Sequence, residues 1–257
     1  MKTNAKVLVM SGYGLNCEEE TLRAFESIGC AGTIVHINDV IERPSLLNQH
    51  NILAFPGGFS YGDDTGSGRA YANKVKNNLQ GYLEAFVQRD TLTIGICNGF
   101  QILTHVGLLP GTLLNNEEGK YQDRWVDLKI ESNSPWLRGI SEISLPIAHG
   151  EGRYYIDESG EKSLLKNGAI VGRYTKGEVS TFGSLSANPN GSLHDIVGVT
   201  AYDGRVLGMM PHPERAVSFF QLPHWTYLKE TVYAGKKLPI KGPGIQIFDN
   251  AAKYFSR

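Results

Sequence analysis

The 257-residue chain predicts an α/β fold: a doubly wound, mainly parallel sheet with antiparallel extensions. Three observations lead there. Between residues 5 and 106, short apolar runs alternate with amphipathic helical stretches, as in βαβ units. Beyond residue 120, apolar runs follow one another across turns, as antiparallel strands do. Several of the early strands close on glycine or proline, at the end where such sheets hold their function.

Residues 5–10 form a first strand, followed by the turn Gly12-Tyr13-Gly14. Residues 18–28 suit a helix with Leu22, Phe25 and Ile28 on one side, and Gly29 fits its stop. Strands follow at 32–37 and 51–55, the latter ending in Pro56-Gly57-Gly58. Residues 69–87 are helical around Val75, Leu79, Leu83 and Phe86. A buried strand at 92–96 leads to a short helix whose inner side is Phe100, Ile102, Leu103 and Val106. Short strands at 125–130, 143–147, 153–156 and 169–174 read as antiparallel extensions of the same sheet. Strands at 196–201 and 206–210 flank Asp203-Gly204, a strong hairpin signal. Residues 244–255 form a closing helix. There is no internal repeat, low-complexity tract or linker, so a single domain over 1–257 is expected.

Charge is nearly balanced, at a formal −1, which argues against a nucleic-acid or anionic-membrane partner. No apolar run is long enough to span a bilayer, and the N-terminal stretch lacks the pattern of a secretory signal. The three cysteines, Cys17, Cys30 and Cys97, are odd in number and widely spaced. That argues against a disulfide framework or a cysteine-rich zinc site, and favours a reducing cytoplasm.

Gly95-Ile96-Cys97-Asn98-Gly99 sits where strand becomes helix. It is the G-x-nucleophile-x-G pattern of a nucleophile elbow, with cysteine in the serine position. A sharp turn there lifts the sulfur above the sheet edge, at a helix N-terminus that favours thiolate. A buried apolar cysteine among incidental glycines is the bland alternative. A thiol nucleophile needs a base, and His212 lies in Pro211-His212-Pro213-Glu214, directly after an apolar strand. The prolines fix its backbone, and Glu214 can orient the ring as the third member of a triad. Oxyanion donors are expected from the Gly58 and Phe59 N–H groups, with that of Asn98 after the nucleophile.

Three stretches now carry a resemblance: residues 95–101, 56–63 and 211–216 look like those of a class I, triad-type glutamine amidotransferase, whose fold is flavodoxin-like. Residues 147–154, 187–192 and 208–217 narrow it, resembling the glutaminase subunits of phosphoribosylformylglycinamidine synthase. The resemblance implies hydrolysis of glutamine by Cys97, His212 and Glu214. It implies substrate contacts from Gly57, Gln101, His149, Gly150 and Glu151. It further implies ammonia transfer to a synthetase subunit that carries ATP and magnesium, with a small bridging subunit, and no cofactor in this chain. The first turn, residues 12–17, the loop 64–69 and the aromatic-rich 219–241 depart from the family's pattern and bear on partner surfaces. An amidotransferase serving a different synthase, and a catalytically silent scaffold of the same fold, remain alternatives.

Overall fold

The structure, a computed structural model, describes residues 4–61, 66 and 68–256. The N-terminal half alternates as its periodicity requires: β1 (Lys6–Ser11), α1 (Glu18–Glu26), β2 (Ala31–His36), α2 (Ile37–Glu42), β3 (Ile52–Phe55), α3 (Arg69–Gln88), β4 (Leu92–Ile96) and α4 (Asn98–Val106). The C-terminal half contains β5 (Thr112–Leu114), β6 (Gln122–Ile130), β7 (Glu142–His149), β8 (Arg153–Tyr155), α5 (Glu158–Lys166), β9 (Ile170–Thr175) and α6 (Glu178–Phe182). It ends with β10 (Ile196–Ala201), β11 (Val206–Met209), α7 (Trp225–Glu230) and α8 (Ile245–Tyr254).

Among the described residues, nine strands form one sheet in the order β2-β1-β3-β4-β11-β10-β9-β6-β7. The pairings from β2 through β11 are parallel, and those from β11 outward are antiparallel. One expectation changes. The strand at Arg153–Tyr155 is not an extension of this sheet but pairs with β5 in a separate two-stranded ribbon. Its three residues are too few to reveal a partner by periodicity.

The central strands are apolar on both faces because helices cover both. β3 and β4 are buried throughout, and Phe25, Phe86, Phe100, Trp136 and Phe248 are buried in the same core. This packing fixes the ends of β3, β4 and β11 at one rim. β4 and β11 run parallel in register, with Met209 opposite Ile96, so Cys97 and Met210 leave the sheet side by side. The Cys97 N–H donates to the Met209 carbonyl at 2.8 Å, extending that pairing by one residue. Among the described residues, no helix is long and apolar enough to cross a membrane.

Candidate active site

Cys97 ends β4 and caps α4 with φ 50° and ψ −106°, a left-handed backbone that a non-glycine residue adopts only under constraint. The constraint is close packing of the elbow. A Cβ on Gly99 would stand 1.9 Å from the Phe55 carbonyl oxygen, so α4 can start this near β3 only with glycine there. The thiol is buried and faces the Ala148 carbonyl at 3.7 Å.

His212 lies at the end of the neighbouring strand. Its N–H donates to the Pro146 carbonyl at 2.8 Å, which anchors the strand end to β7. Its Nδ1 meets Glu214 Oε1 at 2.5 Å, and both side chains are buried, 2% and 0% exposed. Burial opposes charge on this ring. The Glu214 carboxylate and Cys97 outweigh it and raise the His212 pKa to about 10, so the imidazolium form is favoured at neutral pH. Nε2 makes no well-formed hydrogen bond, as is common for a catalytic base without its substrate. The ring is pinned from the other side too: a Cβ on Gly57 would come within 2.6 Å of His212 Cε1.

The loop after β3 holds Gly58 and Phe59, whose N–H groups the sequence offers as oxyanion donors. Gly58 has φ +146°, and a Cβ there would overlap the Gly14 carbonyl oxygen at 2.3 Å. The Phe59 N–H already donates to that same oxygen at 2.9 Å, so it does not point at an oxyanion position. The Asn98 N–H, in the first turn of α4, has no intrahelical acceptor. The Asn98 side chain accepts from the Ser60 N–H at 3.3 Å and donates to Gln101 Oε1 at 2.7 Å. Gln101 in turn donates to the Glu151 carbonyl at 2.6 Å. One buried chain of amides thus joins the oxyanion loop, the elbow helix and the 149–151 loop. Gln101 acts there as a tie.

His149 is buried with both nitrogens engaged, Nδ1 with Asn116 Oδ1 at 3.1 Å and Nε2 with Asn190 Nδ2 at 3.4 Å. It has no free nitrogen to offer a substrate. Asn116, which sequence reasoning missed, also takes the Gly152 N–H at 3.1 Å, and its own N–H donates to the Gly150 carbonyl at 2.9 Å. These bonds set the path of 149–152. Asn190 falls within the distinctive 187–192 stretch, which was the available signal.

Burial, helped by the nearby charge of His212, lowers the His149 pKa to about 3. Unfolded, the ring titrates near ~6.5. Between these values the folded chain binds fewer protons than the unfolded one. The associated stability is complete above pH ~6.5 and is lost as pH falls toward 3. Denaturant midpoints of His149→Gln should therefore depend less on pH in this window than those of the parent chain. Identical slopes would show that His149 does not titrate as placed.

A cavity of about 740 Å³ is lined by Asn133, Ser163, Asn167, Tyr202 and Asp203. It adjoins the β10–β11 turn, at the opposite end of β11 from His212, and holds none of the triad. Cys97, His212 and Glu214 instead come together at the rim where β4 and β11 end.

A family model described as a CobB/CobQ-like glutamine amidotransferase domain matches residues 4–255. A phosphoribosylformylglycinamidine synthase subunit PurQ from Methanococcus maripaludis is 45% identical, with 100% of each chain covered. Another from Dehalococcoides mccartyi is 38% identical over 98% of each. The solved structure of PurLQS from Thermotoga maritima holds a chain that is 32% identical, with 99% of each chain covered and a TM-score of 0.73. The chain belongs to the CobB/CobQ-like glutamine amidotransferase family and, within it, to the PurQ subunits of phosphoribosylformylglycinamidine synthase.

Proposed function

We propose that this chain, as one amidotransferase domain over 1–257, is the glutaminase subunit of a cytoplasmic phosphoribosylformylglycinamidine synthase. It hydrolyses glutamine to glutamate and passes ammonia to a synthetase subunit. That partner, with ATP and magnesium, amidates formylglycinamide ribonucleotide in purine biosynthesis, and a small subunit bridges the two. The observation that carries this is the convergence of Cys97 with the buried His212–Glu214 pair, in a chain 45% identical over its full length to a subunit of that name.

The chemistry follows from the geometry. Cys97 thiolate attacks the side-chain amide carbon of glutamine, and the Gly58 and Asn98 N–H groups take the oxyanion. His212 gives its Nε2 proton to the leaving nitrogen, ammonia departs, and a thioester remains. The neutral ring then takes a proton from water, the hydroxide attacks the thioester, and glutamate leaves as the imidazolium and thiolate are restored. Glu214 holds Nδ1–H throughout. Gly57 packs the ring, and Gly150 and Glu151 border the substrate on the loop set by Asn116 and His149.

The Phe59 N–H can join the oxyanion donors only by leaving Gly14. Docking of the synthetase drives that change, which keeps ammonia from being released to solvent. Exposed Tyr13, Phe59, Tyr61 and Tyr121 near this loop suit a docking rim, as do Phe220 and Tyr227 in the 219–241 segment. Part of the loop 64–69, whose sequence bears on partner surfaces, lies outside the described residues. The test compares steady-state glutaminase rates of the chain alone and of the ligand-bound complex. A gain of at least ~10-fold is expected on assembly. Equal rates would remove the gate.

A further inference from the structure

We propose that the back of the triad is a binding site for a thiophilic divalent cation of the zinc class, formed by Cys17, His212 and Glu214, which inhibits the enzyme by taking His212 from Glu214. Cys17 precedes α1, far from Cys97 and His212 in sequence, and the mechanism does not use it. The fold nevertheless brings its Sγ, a His212 nitrogen and a Glu214 oxygen within 4.8 Å of one another, all three residues buried. The geometry points to Nδ1 as the nitrogen. A Cβ on Gly57 would stand 3.2 Å from both Cys17 Sγ and His212 Nδ1, so the sulfur borders the ring edge that Glu214 holds.

The donor set suits the ion. Thiolate, imidazole and carboxylate are the ligands of zinc, with bonds of about 2.0–2.3 Å. Tetrahedral bonds of that length separate ligand atoms by roughly 3.3–3.8 Å, so about an ångström of side-chain movement closes the site. A second observation is independent of the sulfur. Glu214 Oε2 is buried without a hydrogen-bond partner, an anionic oxygen that a cation would satisfy. On its other side Cys17 meets Arg215, whose Nη2 donates to Cys17 Sγ at 3.1 Å while Nε pairs with Glu20 at 2.8 Å. The Arg215 side chain is 38% exposed and can swing outward. Beside Cys17, a cavity of about 280 Å³ is lined by Asn16, Glu18, Glu19, Glu20 and Arg23, and its three carboxylates would concentrate cations at that approach.

Binding displaces the Cys17 thiol proton and the Nδ1 proton of the imidazolium to solvent. The remaining ring proton is fixed on Nε2, facing Cys97. His212 then cannot cycle as acid and base, and Glu214 no longer orients it. This inhibitory consequence rests on the glutaminase function proposed above, whereas the binding itself does not.

The test titrates cobalt(II) alone, as a spectroscopic stand-in for zinc, into the full chain without added thiols. One saturable equivalent with a thiolate-to-cobalt charge-transfer band is expected. The band should persist in Cys97→Ala and in wild-type chain whose Cys97 has been alkylated. It should vanish in Cys17→Ser, with affinity weakened more than about tenfold, and Glu214→Gln should weaken binding similarly. The alkylated wild-type chain needs no substitution, so the test survives a Cys17 variant that does not fold. A band that survives Cys17→Ser but is lost on blocking Cys97 would place the metal on the nucleophile and overturn the proposal. So would the absence of saturable binding.

Discussion

Cys97→Ala abolishes glutamine-dependent amidation by the assembled synthase and leaves ammonia-dependent amidation at the parent rate. The elbow exists to present this sulfur. Its strained backbone, the close approach of Gly99 to Phe55 and the bond to Met209 fix one atom at the rim, and alanine removes only that atom. Without a nucleophile no thioester forms, and the loss in glutaminase kcat should reach several orders of magnitude, about 10⁴-fold or more. Ammonia supplied from solution bypasses the step, because the synthetase chemistry belongs to the partner. Parallel assays with glutamine and with ammonium salts measure both. Normal glutamine use by Cys97→Ala would sink the assignment. Equal loss of both activities would point to a failed assembly instead.

His212→Asn is the second large effect, and the contrast with Glu214→Gln makes it informative. His212 carries the proton in both halves of the reaction, so its loss should lower kcat by roughly 10⁴–10⁶-fold. Glutamine at 214 can still accept from Nδ1 but no longer offsets the imidazolium charge. It should reduce kcat by roughly 10²–10⁴-fold and move the basic limb of the rate profile. The direction of that move is set by the same balance that holds His212 near 10. Burial lowers the pKa and the carboxylate raises it, so removing the carboxylate lets the ring lose its proton at lower pH. Pre-steady-state kinetics across pH would check this. If Glu214→Gln were the more damaging variant, the base and orienting roles assigned here would be reversed.

Much of this site was legible in the sequence, and the reason is physical. A nucleophile elbow and a Pro-His-Pro strand end are local devices, whose geometry is set by a few adjacent residues. Once the parallel βαβ pattern is read, both must lie at the same strand ends. The strand at 92–96 matches its sequence expectation at both ends, because burial on both faces leaves a run with no charged residue. The rest depends on contacts distant in sequence. Nothing near Asn116 announces that it holds His149 and Gly152, and nothing in Phe59 reveals that Gly14 takes its N–H. Gln101 was expected to reach the substrate from the face of Cys97, but its side chain is held between Asn98 and Glu151. The short helix α2 escaped notice because its six residues follow β2 at once, and His36, the last residue of that strand, caps it by accepting from the Asn38 N–H. Cys17 stands in no chemical motif of its own in the sequence. Burial raises its thiol pKa strongly, and its contact with Arg215 and its place behind the triad come only from the fold.

Transfer of the glutamine amide nitrogen tests the central claim most directly. The complex of this chain with its synthetase partner is given glutamine labelled with heavy nitrogen in the side-chain amide, in an excess of unlabelled ammonium. The nitrogen isotope of the amidated nucleotide is then read by mass spectrometry. If Cys97, His212 and Glu214 release ammonia that passes directly to the partner, the product carries the glutamine label with little dilution, and the label vanishes with Cys97→Ala. A product whose isotope content matches the bulk ammonium pool, with the wild-type chain present and glutamine saturating, would contradict the account.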